Sequence, residues 1–422
     1  MSDSAPQDSG RSLLRTTLIS ALGGVFEFYD FVIFAVFAPQ IGAAFFPPEA
    51  GESAQTLKAF LVFAVGYLAR PIGGLLWAHV ADRKGRAYVF SHTVIGMALA
   101  TMSIALLPGY QTIGDAAPVL LVLLRLLQGM TLGGELPASL CWLAEHAGDR
   151  KKGLATATLM AGVNSGMLLG QSVAAALTFA LGEQAMVSWG WRLAFVLGSV
   201  VGIVAWAVRR HVGETREFAR LQQDGLIERT PLKALLRTSR KEALRAACLC
   251  AVHAWVVATL YLALPSYLHE MTGMPLQQAE RIALVSSATG SLLYLAAGFA
   301  ADFTSASRVC RFALGLLALL AIPAYLLTDG AGWWPLIAIG AIGGVFIGGY
   351  LGILPSLFAA NVRSSGLALG YDGAFAVVGG LGPFVMLWLS KNCGPIAVGA
   401  VTAALAIIAI AALPRDGAKS RA

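Results

Sequence analysis

Two acids interrupt an apolar run near the start of the chain. The run GGVFEFYDFVIFAVF, Gly23 to Phe37, holds Glu27 and Asp30. An acid at the centre of a membrane helix costs roughly 2.5–3.5 kcal/mol on insertion scales, so this pair must face protein or a water-filled space. Three residues apart, the two share one helix face. Arg70 and Arg125 sit inside other apolar runs, with Tyr29 and Gln128 close by in sequence to these charges. Such a set can exchange a proton for a ligand. Protonating Asp30 or Glu27 would free an arginine to hold a carboxylate. Losing the ligand would let the arginine recapture the acid and favour proton release. Neighbours decide where such groups titrate.

The elements that must position these charges follow from composition. The chain has 422 residues, 57% hydrophobic and only 13% charged, about half the charged fraction of an average soluble protein. That predicts a polytopic membrane protein. A span needs roughly 20 apolar residues. Twelve segments qualify, at Thr17–Phe45, Leu57–Val80, Tyr88–Leu107, Ala117–Leu140, Gly153–Leu181, Trp191–Val208, Ala246–Leu268, Ala279–Ala301, Val309–Leu327, Trp334–Phe358, Gly366–Leu389 and Pro395–Leu413. The first is read as a membrane helix rather than a cleaved signal, because its apolar core is long and carries two acids. A basic break, 209–245, holds ten Lys or Arg against five acids and divides six spans from six. The domains are then a tail at 1–16, bundles at 17–208 and 246–413 around that linker, and a tail at 414–422.

If the N-terminus is cytoplasmic, most of the 30 Lys and Arg fall on the cytoplasmic side, including the ten of the break. The other side carries Glu49, Glu52, Asp115, Glu183 and Asp329. This positive-inside pattern puts both termini in the cytoplasm. At 1.5 Å per residue Asp30 lies roughly 20 Å from the cytoplasmic end of its helix and Arg125 roughly 12 Å from the outer end of the fourth. In a core about 30 Å thick the two are nearly level, and Arg70 falls near the same depth. Five scattered cysteines imply neither a disulfide framework nor a zinc site. Walker A, nucleophile-triad and zinc motifs are missing, which argues against an enzyme and against direct ATP coupling.

The halves also echo one another. AHVADRKGR with Asp82 is answered by GFAADFTSASR with Asp302, RKKG at Gly153 by RSSG at Gly366, and Pro137 by Pro355, at nearly one spacing. An internal duplication of six helices predicts a site between the halves near the bilayer midplane. Glycines four apart, Gly162, Gly166 and Gly170, and Gly129 and Gly133, predict close helix packing. Asn164 could reach a central cavity. Of the second-half aromatics Trp255, Tyr261, Tyr294, Tyr350, Tyr371 and Trp388, any could help box a quaternary ammonium group. Tyr371 beside Asp372 is the best placed, and His253 reads as a packed histidine.

These residues carry a resemblance. FEFYDF, ARPIGGLLWAHVADRKGR, RLLQGMTLGGE, WGWRLAF and VRSSGLALGYDGAFAVVGGLGP together resemble the major facilitator superfamily, in its metabolite:proton symporter branch of citrate, alpha-ketoglutarate, shikimate and proline or betaine carriers. The likeness covers nearly the whole chain. It departs at Ala78 and Ala87, where the loop motif usually has Gly and a second cation, and at Asp372, where the branch usually has Asn. The resemblance implies an all-α membrane protein, twelve transmembrane helices in two six-helix pseudo-repeat bundles, in the bacterial inner membrane. It implies a cytoplasmic gate of Asp82, Arg83, Gly85, Arg86 and Glu135, with Asp302 and Arg308 as a degraded copy.

The function expected from charges and resemblance together is symport of a small organic anion, a mono-, di- or tricarboxylate, with protons. The carrier works as a monomer by alternating access, needs no cofactor beyond the proton gradient, and binds no nucleic acid. Asp30, Glu27 and Arg125 would couple the proton. Arg70, Arg125, Tyr29, Gln128, Asn164, Tyr371 and Asp372 would meet the substrate. The alternatives are uptake of a zwitterionic osmolyte such as betaine or proline, export of a drug or metabolite, and a transporter-like ligand sensor. The short tail PRDGAKSRA counts against an osmosensor, and a fifth helix reading GVNSGMLLG without Pro counts against an exporter.

Overall fold

The computed structural model describes residues 24–26, 28–84, 86–133, 136, 140, 152–209, 237, 239–328, 332–358 and 363–414, without the side chains of 75, 78–91, 208–209 and 363–365. Glu27, Gly85, Glu135, residues 210–236 of the linker and the tails 1–16 and 415–422 lie outside the described residues. So do the side chains of Asp82, Arg83 and Arg86.

Among the described residues twelve helical spans follow one another. The first, α1, is a pair, Gly24–Val36 and Ala38–Phe45, bent by 65° ahead of Pro39. It is followed by α2 (Glu52–Lys84), α3 (Arg86–Leu106), α4 (Ala116–Thr131), α5 (Lys152–Leu181) and α6 (Glu183–Ala207). The second half has α7 (Arg240–Leu262, continued by Leu264–Thr272), α8 (Leu276–Phe303), α9 (Ala306–Leu326), α10 (Trp334–Tyr350), α11 (Gly366–Cys393) and α12 (Pro395–Ala412). Among the described residues eight are long and apolar enough to cross a membrane, the bent pair makes a ninth span, and three shorter apolar helices complete the set. Helices such as α2 outrun the expected apolar core at both ends, because backbone hydrogen bonding continues where hydrocarbon stops.

The exposed face of these helices is apolar. Leu68, Ile72 and Leu76 on α2, and Leu292, Phe299 and Phe303 on α8, are all exposed, as lipid contact demands. Asp30, Arg70, Arg125, Gln128, Asn164, Gln171 and Asp372 lie inside. Each packing in the first half has a copy in the second: α2 on α4 and α8 on α10, α3 on α6 and α9 on α12. Glycine permits both of the inner approaches. A Cβ at Gly129 of α4 would lie 1.9 Å from the Gly66 carbonyl oxygen of α2, and one at Gly348 of α10 would lie 2.2 Å from that of Tyr294 of α8.

The halves meet along two seams, α5 on α8 and α2 on α11. The ends of the bundle differ in charge, so they are called here the basic face (the ends of α2, α8 and α9 near Lys84 and Arg308) and the acidic face (near Glu49, Glu52 and Glu183). Both seams hold polar contacts. At the basic face, Gly153 and Leu154 donate their N–H groups to Asp302 at 2.8 and 2.9 Å. At the acidic face Ser53 donates to Glu270, which also pairs with Lys391. Between them Asn164 donates to Ser291, and Gln171 to the Tyr261 carbonyl at 2.6 Å.

Candidate functional site

The acid of FEFYDF is placed by α1. Gly166 and Gly170 of α5 let α1 lie close, while Tyr29 donates its hydroxyl to the Ala194 carbonyl of α6 at 2.9 Å. Tyr29 thus anchors α1 within the first bundle. Asp30, one residue on, is 0% exposed and meets α3 and α4. Thr101 of α3 donates to Oδ1. Gln128 of α4 reaches Oδ1 at 3.2 Å and Oδ2 at 2.9 Å with its amide nitrogen. Arg125, one turn before Gln128, stands with Nη1 3.6 Å from Oδ2 and donates to the Gln128 amide oxygen at 2.8 Å. An arginine can only donate, which fixes the amide of Gln128 with its NH2 toward the acid. Gln128 therefore bridges the base and the acid.

Thr101 equips the cluster for both protonation states. Its oxygen also lies 2.9 Å from the Met97 carbonyl and 2.8 Å from the Gln128 nitrogen. Facing a carboxylate, the hydroxyl donates to it. Facing a carboxylic acid, it can accept that proton and turn its own toward Met97.

The Arg125 guanidinium lies over aromatic rings, 4.2 Å from the centre of Phe34, 4.9 Å from Phe31 and 5.5 Å from Phe63. Rings so placed offset part of the cost of holding a cation out of water. Nε and Nη2 have no hydrogen-bond partner among the described residues. They face Gly66, where a Cβ would lie 3.4 and 3.5 Å from them.

A second ion pair crosses between the halves. Arg70 of α2 places Nη2 3.6 Å from Oδ1 of Asp372 of α11, and both side chains are buried. Arg70 precedes Pro71, which sits within α2 and cannot donate to the helix ladder. Asp372 precedes a π-helical stretch, Phe375–Gly379, a widening that recurs at functional sites. Aromatic side chains surround the pair. Arg70 lies 5.6 Å from the Tyr67 ring and 5.9 Å from Phe31. Tyr371 stacks on Phe375 at 4.4 Å, and Phe375 on Tyr67 at 6.4 Å across the seam. His253 of α7 turns its ring edge-on to Phe375 and Tyr371 and bonds the Tyr350 hydroxyl at 2.6 Å. Phe31 contacts both arginines, so one ring lies between the two ion pairs.

The residues singled out in the sequence thus separate. Asp30, Arg125 and Gln128 form one cluster inside the first bundle. Arg70, Tyr371 and Asp372 form another on the α2–α11 seam, so Arg70 pairs with the opposite bundle and not with α1. Asn164 lies on the α5–α8 seam. Asp302 spans the halves at the basic face, while Arg308 is exposed at the start of α9 and makes no ion pair with it among the described residues. Trp388 is exposed toward lipid, and Trp255 donates to Thr402 at 2.8 Å. Sequence reasoning missed Thr101 and the rings of Phe31, Phe34, Phe63, Tyr67 and Phe375. Thr101 carried only a weak signal, a hydroxyl in a span that also holds Ser91, Thr93 and Ser103; the phenylalanines carried none.

Residues 20–293 match the Major Facilitator Superfamily. The chain belongs to that superfamily. It is 31% identical to a putative proline/betaine transporter of Staphylococcus haemolyticus over 92% of this chain and 84% of that one. It is 30% identical to the glycine betaine/proline/ectoine/pipecolic acid transporter OusA of Dickeya dadantii, over 91% of this chain and 79% of that one. The inner membrane metabolite transport protein YhjE of Escherichia coli is 29% identical over 94% and 93% of the two chains. Among solved structures, the xylose transporter XylE from E. coli, in a partially occluded inward open conformation, superposes with a TM-score of 0.74 at 16% identity, covering 94% of this chain and 96% of that one. This major facilitator protein is therefore a multi-pass secondary transporter of a small molecule, with the twelve-helix fold expected of it.

Proposed function

We propose that this carrier imports a small zwitterion, one carboxylate joined to a quaternary or secondary ammonium centre as in betaine and proline, together with protons. The observation that carries the reading is the Arg70–Asp372 pair on the seam between the halves. The pair is charge-balanced, and a zwitterion is its counterpart. The substrate carboxylate replaces Asp372 at Arg70, and its ammonium group replaces Arg70 at Asp372. Tyr67, Tyr371 and Phe375 offer the cationic end aromatic surface. A di- or tricarboxylate would meet Asp372 as a like charge. The organic-anion expectation therefore gives way to the osmolyte alternative, and the names of the relatives at 31% and 30% identity lean the same way.

Coupling falls to the neighbouring cluster. A proton taken by Asp30 ends its pairing with Arg125 and re-sorts the bonds of Gln128 and Thr101. Because Phe31 touches both arginines, that rearrangement reaches the substrate pair by direct packing. Alternating access then opens the halves at one face at a time. Asp302 on the N-terminus of α5 holds the basic face, taken as cytoplasmic in a bacterial inner membrane, and Ser53–Glu270–Lys391 hold the other.

The test is a pH-electrode trace from purified protein in lightly buffered liposomes, with betaine, proline, citrate and a monocarboxylate added in turn. Alkalinisation of the exterior on betaine or proline, absent from empty liposomes, is the expected result. Alkalinisation on citrate alone would restore the anion reading. Silence with all four, from protein shown to be folded and inserted, would remove proton-coupled import.

A further inference from the structure

One buried carboxylate takes no part in either cluster. Glu280 lies one turn into α8, at the acidic-face end of the α5–α8 seam, and is 2% exposed. Across the seam Thr178 of α5 donates to its Oε1 at 3.3 Å, and Oε2 has no hydrogen-bond partner among the described residues. The contact ends a polar strip. Asn164, Gln171 and Thr178 recur every seventh residue on α5 and meet Ser291, the Tyr261 carbonyl and Glu280 in turn.

No cation among the described residues balances this acid. Among the described residues none stands within ion-pair distance of Glu280, and Arg281 beside it on α8 is exposed. Of the elements packed against α8, α5 brings Thr178 to this end, with the acid Glu183 just beyond. The outer part of α7 brings Tyr261, Tyr267, His269 and Glu270, the last already paired with Lys391. From α9 comes Tyr325, and α10 carries no charged residue. When the seam parts at the acidic face, Glu280 meets water. When it closes, the acid is sealed in with one hydroxyl for company. Sealing a charge without a counter-ion is costly, and sealing a neutral acid is far less so.

We infer that Glu280 is a second proton-binding residue of the transport cycle, loaded from the acidic face as the α5–α8 seam closes over it. The step moves one proton from water onto a carboxylate oxygen, and no other bond forms or breaks. Closure of the outer face and proton uptake are then one event. A carrier whose Glu280 is still charged stays open on that side.

This inference rests on the proton-coupled reading, and the experiment separates the two. Proteoliposomes are given betaine, and the initial proton and betaine fluxes are measured together for wild type, Glu280→Gln and Glu280→Asp. Wild type should couple, Glu280→Gln should carry one proton fewer per betaine and lose part of the pH dependence of uptake, and Glu280→Asp should restore both. An unchanged proton ratio and pH profile in Glu280→Gln, beside a coupled wild type, overturns the inference and leaves the general reading standing. An uncoupled wild type overturns the general reading. Wild-type protein supplies a second readout that needs no variant. Dicyclohexylcarbodiimide, an apolar reagent for protonated carboxyls, should label Glu280 at acid pH and progressively less as pH rises, by peptide mapping. No label on Glu280 at any pH overturns the inference.

Discussion

Arg70 and Asp372 stand 3.6 Å apart on opposite halves of the molecule, and both are buried. An ion pair across a seam that must open is held by two chains of contacts at once, so whatever replaces it decides when the halves part. Losing one member of a buried pair strands the other and costs about 3–5 kcal/mol. Asp372→Asn should therefore lower the unfolding temperature in detergent. It should also weaken betaine binding by tenfold or more, about 1.4 kcal/mol, while a simple monocarboxylate binds Arg70 better than before. Calorimetry with both ligands checks this, and betaine affinity equal to wild type would remove Asp372 from the site.

Asp30 has Arg125, Gln128 and Thr101 as partners and no exposed surface. Asp30→Asn keeps the shape and removes the titration. Gradient-driven uptake should fall tenfold or more, whereas exchange of labelled for unlabelled betaine, which needs no net proton movement, should persist. In wild type, driven uptake should decline as the external pH is raised, and in Asp30→Asn the residual exchange should keep only the part of that dependence that Glu280 supplies. Driven uptake at the wild-type rate in the variant would assign the proton elsewhere.

Close helix packing makes a sharper prediction about stability. At Gly129 a Cβ would fall 1.9 Å from a backbone oxygen, which cannot yield as a flexible side chain can, whereas at Gly315 of α9 it would meet nothing within 4 Å. Gly129→Ala should cost about 1–3 kcal/mol by overpacking. Gly315→Ala should be neutral or stabilising by about 0.4–1 kcal/mol through the unfolded chain. Thermal unfolding of the two variants in one detergent makes the comparison, and equal unfolding temperatures would contradict the packing of α4 on α2.

Helix number and the repeat were legible in the sequence because hydrocarbon thickness and charge bias act on whole segments. The depth of Asp30 and Arg125 was legible for the same reason: a rise per residue is fixed, and two helices of opposite direction meet at a calculable level. The partner of Arg70 was not, because depth alone gives no azimuth, and Glu27 and Asp30 were the carboxylates placed in that slab. Nor was the arrangement of Phe31, Phe34 and Phe63, since phenylalanine at a lipid face and phenylalanine over a guanidinium read identically. The reach of Asp302 across the halves depends on how two bundles dock, which no local pattern records.

That reach supports the last prediction. Both oxygens of Asp302 accept backbone N–H groups at the start of α5, from Gly153 and Leu154. The first turn of a helix has N–H groups with no partner of its own, and the macrodipole there favours an anion. A cap supplied from the other half therefore acts on the equilibrium between closed and open basic faces more than on folding. A cap is worth about 0.5–2 kcal/mol, so Asp302→Ala should shift that equilibrium about two- to thirtyfold toward the open form. Gly153 admits the approach: a Cβ on it would lie 2.6 Å from the Gly298 carbonyl oxygen and 2.8 Å from Asp302 itself, so Gly153→Val should open the same face by force. Spin labels on the basic-face ends of α5 and α8 should report a longer distance population in both variants, with the acidic-face distances shortened or unchanged. If Asp302→Ala leaves the distances as they are while Gly153→Val moves them, close packing rather than the cap holds the face shut.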